Sequence, residues 1–491
     1  MRKTTLYITL ILLAGILFPL QAAPRLTVVV LVDGLRSDNL NMMQPYWPTG
    51  GLRTLTEEGQ QFAVQISHPV YGGAETVATL LTGETPSTHG IAMNHYFQRS
   101  DRTIHPILED MNESGIGSIH HISPRRLLSP ALADRFRLTY GKDTHIFAVG
   151  QDPETTVLMA GHAADGCCWM NPQTLQWATT SYYRAGLPAT ADAANISERT
   201  SLILEREWQP RMDIRMYMYP TDQETKNGFS YRNGKYLTQV PAINTLTIEL
   251  ALALQKEEHL GEDSTPDLLL LQLTTCTPKA TGDLIRSAEQ EDIHLALNQD
   301  FGYLMEQLHK RVGKHNLQLL VAGIPRQGIP PESMEAIGMP VRRFNVDRAA
   351  ALTNAYLMAI YGHERWVDGG CGQAIYLNRL LLEQKKIPIE NIRQQVADFL
   401  MDFDGIRVAH PLQEACLDPL TAASMNKLSA GDVVFVLQPG WQLSAGEENA
   451  ATDHVLEETP DIPLLLWTEG RKEQLRTNLV PSDIIQLITN N

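Results

Sequence analysis

Short runs of apolar residues, several of them β-branched or leucine-rich, recur along the chain. They are LTVVVLVD (26–33), THIFAVG (144–150), PDLLLLQL (266–273), LQLLVAG (317–323), DVVFVLQ (432–438) and IPLLLW (462–467). Each is of strand length and almost unbroken by polar residues, the pattern of a strand covered on both faces. Between many of them lie stretches with helical apolar spacing, such as TLTIELALALQKEE (245–258) and IHLALNQDFGYLMEQLHKRV (293–312). Strands alternating with helices predict an α/β fold, with a mainly parallel central sheet and helices on both faces. Two regions break the alternation and read as cap-type insertions. One, at 165–235, is rich in aromatics, Asn, Thr and Gly; the other, at about 325–430, holds IPRQGIPPESMEAIGMP, the helical NVDRAAALTNAYLMAIYG and the strand-like QAIYLNRLLL.

The first 23 residues carry another pattern. Arg2 and Lys3 form a charged start, Leu6 to Leu20 an apolar run, and Gln21-Ala22-Ala23 a small-residue exit. That is the layout of a secretory signal peptide over 1–23, leaving one α/β domain over 24–491. The apolar run is short for a membrane span. No later stretch is long and apolar enough to provide one, so no span is expected after cleavage. The junction has no Cys to carry a lipid. The expectation is an exported bacterial protein, Gram-negative by preference, in the periplasm or at the cell surface.

Charge narrows the partners. The formal net charge is -16, and removing Arg2 and Lys3 takes it to -18. Such an acidic chain without a basic patch is a poor partner for nucleic acid. The five cysteines are Cys167, Cys168, Cys276, Cys371 and Cys416. An odd number leaves at least one thiol, and Cys371 with Cys416 is the one pairing suggested.

In a parallel α/β sheet the ligand lies at the carboxyl ends of the strands. Asp33 ends the first strand, Thr274 to Ala280 come after the third, and Gly323-Ile324 close the fourth. The run LTVVVLVDGLRSDNL, then GGLRTLTEEG, then LLTGETPSTHGIAMNHYF resembles the start of the alkaline phosphatase superfamily. The likeness is to its bacterial branch with a Thr or Ser nucleophile, related to nucleotide pyrophosphatase/phosphodiesterases. It continues through AGHAADGCCWMN, TTSYY, QAIYLNRLLLEQKKIPIENIRQQVADFL and GDVVFVLQPGW to IPLLLW. The resemblance implies phosphate-ester hydrolysis with two zinc ions, one activating the nucleophile and one stabilising the leaving group. The implied ligands are carboxylates and imidazoles.

Carried over residue by residue, the resemblance gives a depleted site. Asp33 matches the first metal ligand, although a strand-end Asp capping a helix would read the same way. The nucleophile position falls on Gly72 or Gly73, in HPVYGGAETV, with Thr76 as the one substitute hydroxyl. Asn94 matches a phosphate-binding residue. Asp152 and Glu154 stand where some members place a Lys and an Arg, which would repel an anionic ester. Cys276 and Ala280 take the places of an Asp-x-x-x-His ligand pair, and Gly323 and Ile324 those of an Asp-His pair. Asp461 replaces the last His ligand, while His454 matches a neighbouring one. Asp33, His454 and Asn94 are too few for two zinc ions, each of which wants about four ligands.

These losses predict an exported, catalytically degenerate phosphatase-like protein. It would serve as an envelope scaffold or binding subunit with an unidentified envelope protein partner and no cofactor. Two alternatives stay open. One is an active metal-dependent phosphoester hydrolase with a rebuilt site, using zinc and either Thr76 or a water on Asp33, Cys276 and His454. The other is a non-catalytic binder of a glycan or phospho-ligand, with Trp169 and its aromatic neighbours as a sugar platform.

Overall fold

The architecture is that of a computed structural model. It describes residues 23–68, 73–223, 228–280, 282–326, 335, 338, 340–412, 419–426, 429–438, 440–444, 461–470 and 478–489. In chain order its first half holds β1 (Leu26–Asp33), β2 (Gln60–Val64), α1 (Ala74–Thr82), β3 (His95–Gln98), β4 (Thr103–Pro106), β5 (Ile146–Gly150), α2 (Pro153–Ala160), β6 (Gly166–Asn171), β7 (Gln176–Thr180), α3 (Pro241–Glu257), β8 (Asp267–Thr274) and α4 (Ala288–Arg311). The second half holds β9 (Leu317–Ile324), α5 (Val346–Tyr361), β10 (Val367–Cys371), β11 (Ala374–Leu377), α6 (Arg379–Gln384), α7 (Ile389–Leu400), β12 (Ile406–Pro411), β13 (Val433–Leu437) and β14 (Ile462–Thr468).

Every residue of β1 is buried, and so is every residue of β8 and β9, which flank it in parallel. The alternation of side chains explains why no polar face is needed. Val28, Val30 and Val32 enter one core with Ile243, Leu250, Phe301 and Leu304 of α3 and α4. Val29 and Leu31 enter the opposite core with Val77, Leu80, Val157 and Leu158 of α1 and α2. The ten-stranded sheet runs 478–479, β2, β14, β9, β1, β8, β5, β6, β7, 115–116. It is mainly parallel; β14 runs antiparallel to both β9 and β2, and β7 antiparallel to β6.

Two sequence expectations shift. The run 432–438 has the pattern of a core strand, but β13 lies in a separate antiparallel sheet ordered β10-β11-β13-β12. That sheet and α5 and α7 share their own apolar core, around Phe344, Leu357, Trp366, Ile375 and Phe435. The chain returns to the central sheet only at β14. Within 165–235, β6 and β7 join the central sheet at its far side, so the insertion begins only after β7. Short apolar runs look alike in either setting, because periodicity records burial and not the sheet that supplies it.

The insertion after β7 is pinned to α4 by buried acids. Asp292, fully buried, accepts from Trp208 Nε1 at 2.7 Å, from Tyr217 Oη at 2.5 Å and from the Arg211 backbone N–H at 2.9 Å, and it pairs with the Arg211 guanidinium. Glu291 accepts from the backbone N–H groups of Met218 and Tyr219, and Glu289 from that of Asp222. Carboxylates in the first turn of a helix are favoured by its dipole. Among the described residues no helix is long and apolar enough to cross a membrane.

Candidate active site

β1, β8 and β9 end in one row, with Asp33 between Thr274 and Ile324. Asp33 is 8% exposed. Arg326, two residues beyond β9, brings its guanidinium against this carboxylate. Nε lies 3.0 Å from Oδ1, and Nη2 donates to Oδ2 at 3.1 Å. Nη2 also donates to Thr155 Oγ1 at 3.1 Å, in the first turn of α2. Gln272 of β8 donates to Asp33 Oδ2 at 2.8 Å, and Asp283 Oδ2 accepts the Arg326 backbone N–H at 2.7 Å. Burial raises the pKa of Asp33; Arg326 opposes that rise and Asp152 adds to it. For Arg326 burial pulls the pKa down, but Asp33 and Asp152 outweigh it and hold the group above its ordinary value. Arg326 is not visible as a site residue in the sequence, because a lone Arg past a strand carries no spacing signal.

Among the described residues the ligand positions do not fit two zinc ions: no group of three or more His, Cys, Asp and Glu side chains is placed to hold a metal. Both oxygens of Asp33 face the guanidinium. The Cys276 thiol is pushed up to about 12 by burial and by Asp33 and Asp283, so it is not a thiolate at neutral pH. A Cβ on Gly323 would stand 2.1 Å from the Leu35 carbonyl oxygen, so no ligating side chain fits there without a backbone shift. Ile324 is fully buried in the apolar core, and Ala280 has only a methyl to offer. Asp461 is exposed beside β14, and its backbone oxygen accepts from Ser37 Oγ at 3.2 Å. His454 lies outside the described residues, as do Gly72, Cys416 and the leader up to residue 22.

At Gly73, before α1, there is no room for a side chain. A Cβ on Gly73 would stand 2.0 Å from Asn94 Oδ1, and that same oxygen accepts the Ala74 backbone N–H at 2.7 Å. Asn94 therefore fills the space a hydroxyl side chain would need. Thr76, the substitute hydroxyl, is fully buried and donates to Glu75 Oε2 at 2.8 Å, which removes it as a nucleophile. Thr79 sits between His68 Nε2 at 3.1 Å and His89 Nε2 at 3.0 Å, with His68 Nδ1 3.3 Å from Glu75 Oε1. The sequence pattern marks Thr79 as a packed residue and gives no sign of this cluster, whose members are two His and a Glu spread over 22 positions. All four side chains are sealed from water. Burial, with His68 adding to it, lowers the His89 pKa to about 3.

Asp152 is the N-cap of α2, accepting the Thr155 N–H at 2.8 Å, and Glu154 comes next to it in the first turn. A helix start selects these acids. Trp169 is fully buried in β6 and offers no sugar platform, which corrects that expectation. A cavity of about 450 Å³ is lined by Asp38, Asn39, Met42, Tyr219, Leu284, Ile285 and Arg286, and Asp33 and Arg326 are not among its walls. Its Asn39 donates to the Asp283 carbonyl at 2.6 Å.

The comparisons with known proteins bear on this geometry. The model of the type I phosphodiesterase / nucleotide pyrophosphatase family matches residues 27–462. The chain belongs to this family. Over 488 residues it is 24% identical to a protein of Elizabethkingia meningoseptica named alkaline phosphatase PafA, covering 92% of this chain and 88% of that one. It is 23% identical over 477 residues to the alkaline phosphatase PhoV of Synechococcus elongatus, covering 88% and 83%. The crystal structure of PafA superposes with a TM-score of 0.81, at 22% identity and over 95% of this chain and 96% of that one. The phosphodiesterase-family fold is thus established along almost the whole chain. The sequence-based lean away from an enzyme is corrected here. Relatives matched nearly end to end are named as phosphatases, and they point to an enzyme.

Proposed function

We propose that this phosphodiesterase-family protein is an exported phosphoester hydrolase with a rebuilt site, acting in the periplasm or at the cell surface. One observation carries the site assignment: the Arg326 guanidinium at the carboxyl end of the central strands, with a carboxylate and a hydroxyl within 3.1 Å. A guanidinium fork matches two oxygens of a phosphoryl group. An incoming phosphoester competes with Asp33 for Arg326. The carboxylate so released sits in a buried setting that raises its pKa, which suits it to take a proton from an attacking water. Water adds to phosphorus, the ester oxygen leaves with the P–O bonding pair, and the water proton passes to Asp33. The leader-like residues 1–23 support export, and the names of the relatives support the reaction class.

The test is release of p-nitrophenol from p-nitrophenyl phosphate and bis(p-nitrophenyl) phosphate by the purified chain, with and without a chelator. Turnover is expected to survive chelation. Asp33→Asn and Arg326→Met are each expected to lose about 10²-fold in kcat/KM, the scale of a general base or a charge-stabilising donor. Absence of turnover, or turnover indifferent to both changes, overturns the proposal. Loss on chelation with recovery on zinc would place a metal where Arg326 now lies.

A further inference from the structure

Asp432, at the start of β13, is fully buried and faces three arginines from three separate elements. Arg99, in the turn after β3, reaches Oδ2 through Nη2 at 2.9 Å. Arg379 of α6 places Nε at 2.9 Å and Nη2 at 2.8 Å from Oδ1. Arg393 of α7 places Nη2 at 2.8 Å and Nε at 3.3 Å from the same oxygen. The Leu377 backbone N–H takes a further place on Oδ2 at 2.9 Å. A carboxylate offers about four lone-pair sites, two on each oxygen. Four guanidinium nitrogens therefore crowd the two sites of Oδ1, and three positive charges meet one negative charge. Burial would raise the pKa of Asp432, but Arg99, Arg393 and Arg379 together pull it below the usual carboxylate range. Asp432 is thus already ionised and can give nothing more.

Among the described residues no second anion absorbs the surplus. Arg99 Nη1 donates to the Leu377 carbonyl and Arg393 Nη1 to the Leu412 carbonyl, both neutral acceptors. Among the described residues the three arginines form no ion pair except with Asp432. Their side chains are 28%, 41% and 13% exposed for Arg99, Arg379 and Arg393, so the cluster opens to water on the Arg379 side. What this arrangement lacks is a second anion with several acceptor oxygens.

We propose that Arg99, Arg379 and Arg393 form a binding site for a tetrahedral oxyanion, a phosphate or phosphonate group, separate from the Asp33 row. The site sits on the small sheet and ties α6 and α7 to the β3–β4 hairpin, so an anion there braces the insertion against the main domain. It does not depend on the catalytic reading.

The test is calorimetric titration of the full-length chain with inorganic phosphate and, separately, with methylphosphonate, at constant ionic strength set by chloride. Arg326→Met, which removes the phosphoryl-binding group of the Asp33 row, is expected to keep the phosphate site at Arg99, Arg379 and Arg393 with wild-type affinity; a second phosphate site seen only in wild type belongs to the Asp33 row. Arg379→Gln is expected to bind at least about tenfold more weakly, a factor equivalent to 1.4 kcal/mol. Arg99 and Arg393 still pair with Asp432 in that variant. Should it fold poorly, Arg379→Lys keeps a charge for Asp432 and is expected to weaken binding several-fold. Methylphosphonate binding as well as phosphate identifies a site for substituted groups on larger molecules; binding of phosphate alone identifies the free ion. No binding by wild type, or binding by both Arg379 variants as tight as by wild type, overturns the proposal. Loss of binding in Arg326→Met alone assigns the anion to the Asp33 row and overturns it too.

Discussion

Replacing Arg326 by Met keeps most of the side-chain volume and removes the charge. Asp33 is then left buried with Gln272 as its one remaining side-chain donor. Removing one partner of a buried ion pair costs about 3–5 kcal/mol when the other must stay charged. That cost has a ceiling, because Asp33 can instead take up a proton. Its folded pKa is raised by burial even with Arg326 present, and without the guanidinium only the Gln272 hydrogen bond opposes the rise. The sign of the pH dependence is then fixed. A carboxyl whose folded pKa exceeds its unfolded value of about 3.9 adds stability below that value and loses it as pH rises through the folded pKa. The deficit of Arg326→Met relative to wild type should therefore be small near pH 4. It should grow by up to about 1.4 kcal/mol per pH unit until the new pKa is passed. Denaturant midpoints at pH 4.5 and pH 8 measure this, compared at equal slope. Asp33→Asn with Arg326→Met removes both charges and should recover most of the pH 8 loss, since isosteric removal of a buried pair is often close to neutral. A pH 8 midpoint for Arg326→Met equal to wild type, or a deficit that does not change with pH, would falsify the buried pair as described.

Three further outcomes are expected. Gly73→Ser puts a Cβ into Asn94 Oδ1 and should lower stability by about 1–3 kcal/mol without raising phosphatase activity; a stable variant with new turnover refutes the closed nucleophile position. His89 is held neutral by burial at a pKa of about 3, so folding stability should fall as pH drops from about 6.5 towards 3, and His89→Gln should flatten that limb in an acid-unfolding series. Asp292→Ala strips the acceptor from Trp208, Arg211 and Tyr217, and should cost about 3 kcal/mol or more while making the segment 206–222 open to limited proteolysis; unchanged protection there would refute the anchoring role.

The central sheet is legible in the sequence because β1, β8 and β9 are buried on both faces, and double burial writes an unbroken apolar run. The small sheet is not separable from it by pattern. β13 is as apolar at its start as a central strand, and what distinguishes it is its partner β11 and not its composition. At the site, the sequence locates the strand ends at Asp33, Thr274 and Ile324, and the resemblance marks Gly73, Ala280 and Gly323 as its points of departure. It does not show what fills the space those departures leave. Asn94, Arg326 and the Leu35 carbonyl are ordinary as letters and acquire their meaning only from distances of 2.0–3.1 Å.

Those distances also argue against a site that has simply eroded. A two-metal centre places positive charge against strand-end carboxylates; here a single guanidinium does so, fixed by Asp33, Thr155 and the Asp283 contact to its backbone. Around it the backbone has closed: the Gly34 N–H donates to the Ile324 carbonyl at 2.8 Å, and Leu35 O lies where a side chain on Gly323 would begin. Restoring one ligand at a time would meet this closed packing at Gly323 and Gly73, and would meet Arg326 at Asp33. Each single reversion should therefore cost stability without regaining a metal. The present arrangement is held in place by packing and charge together, at Gly323 by the Leu35 carbonyl and at Asp33 by the Arg326 guanidinium.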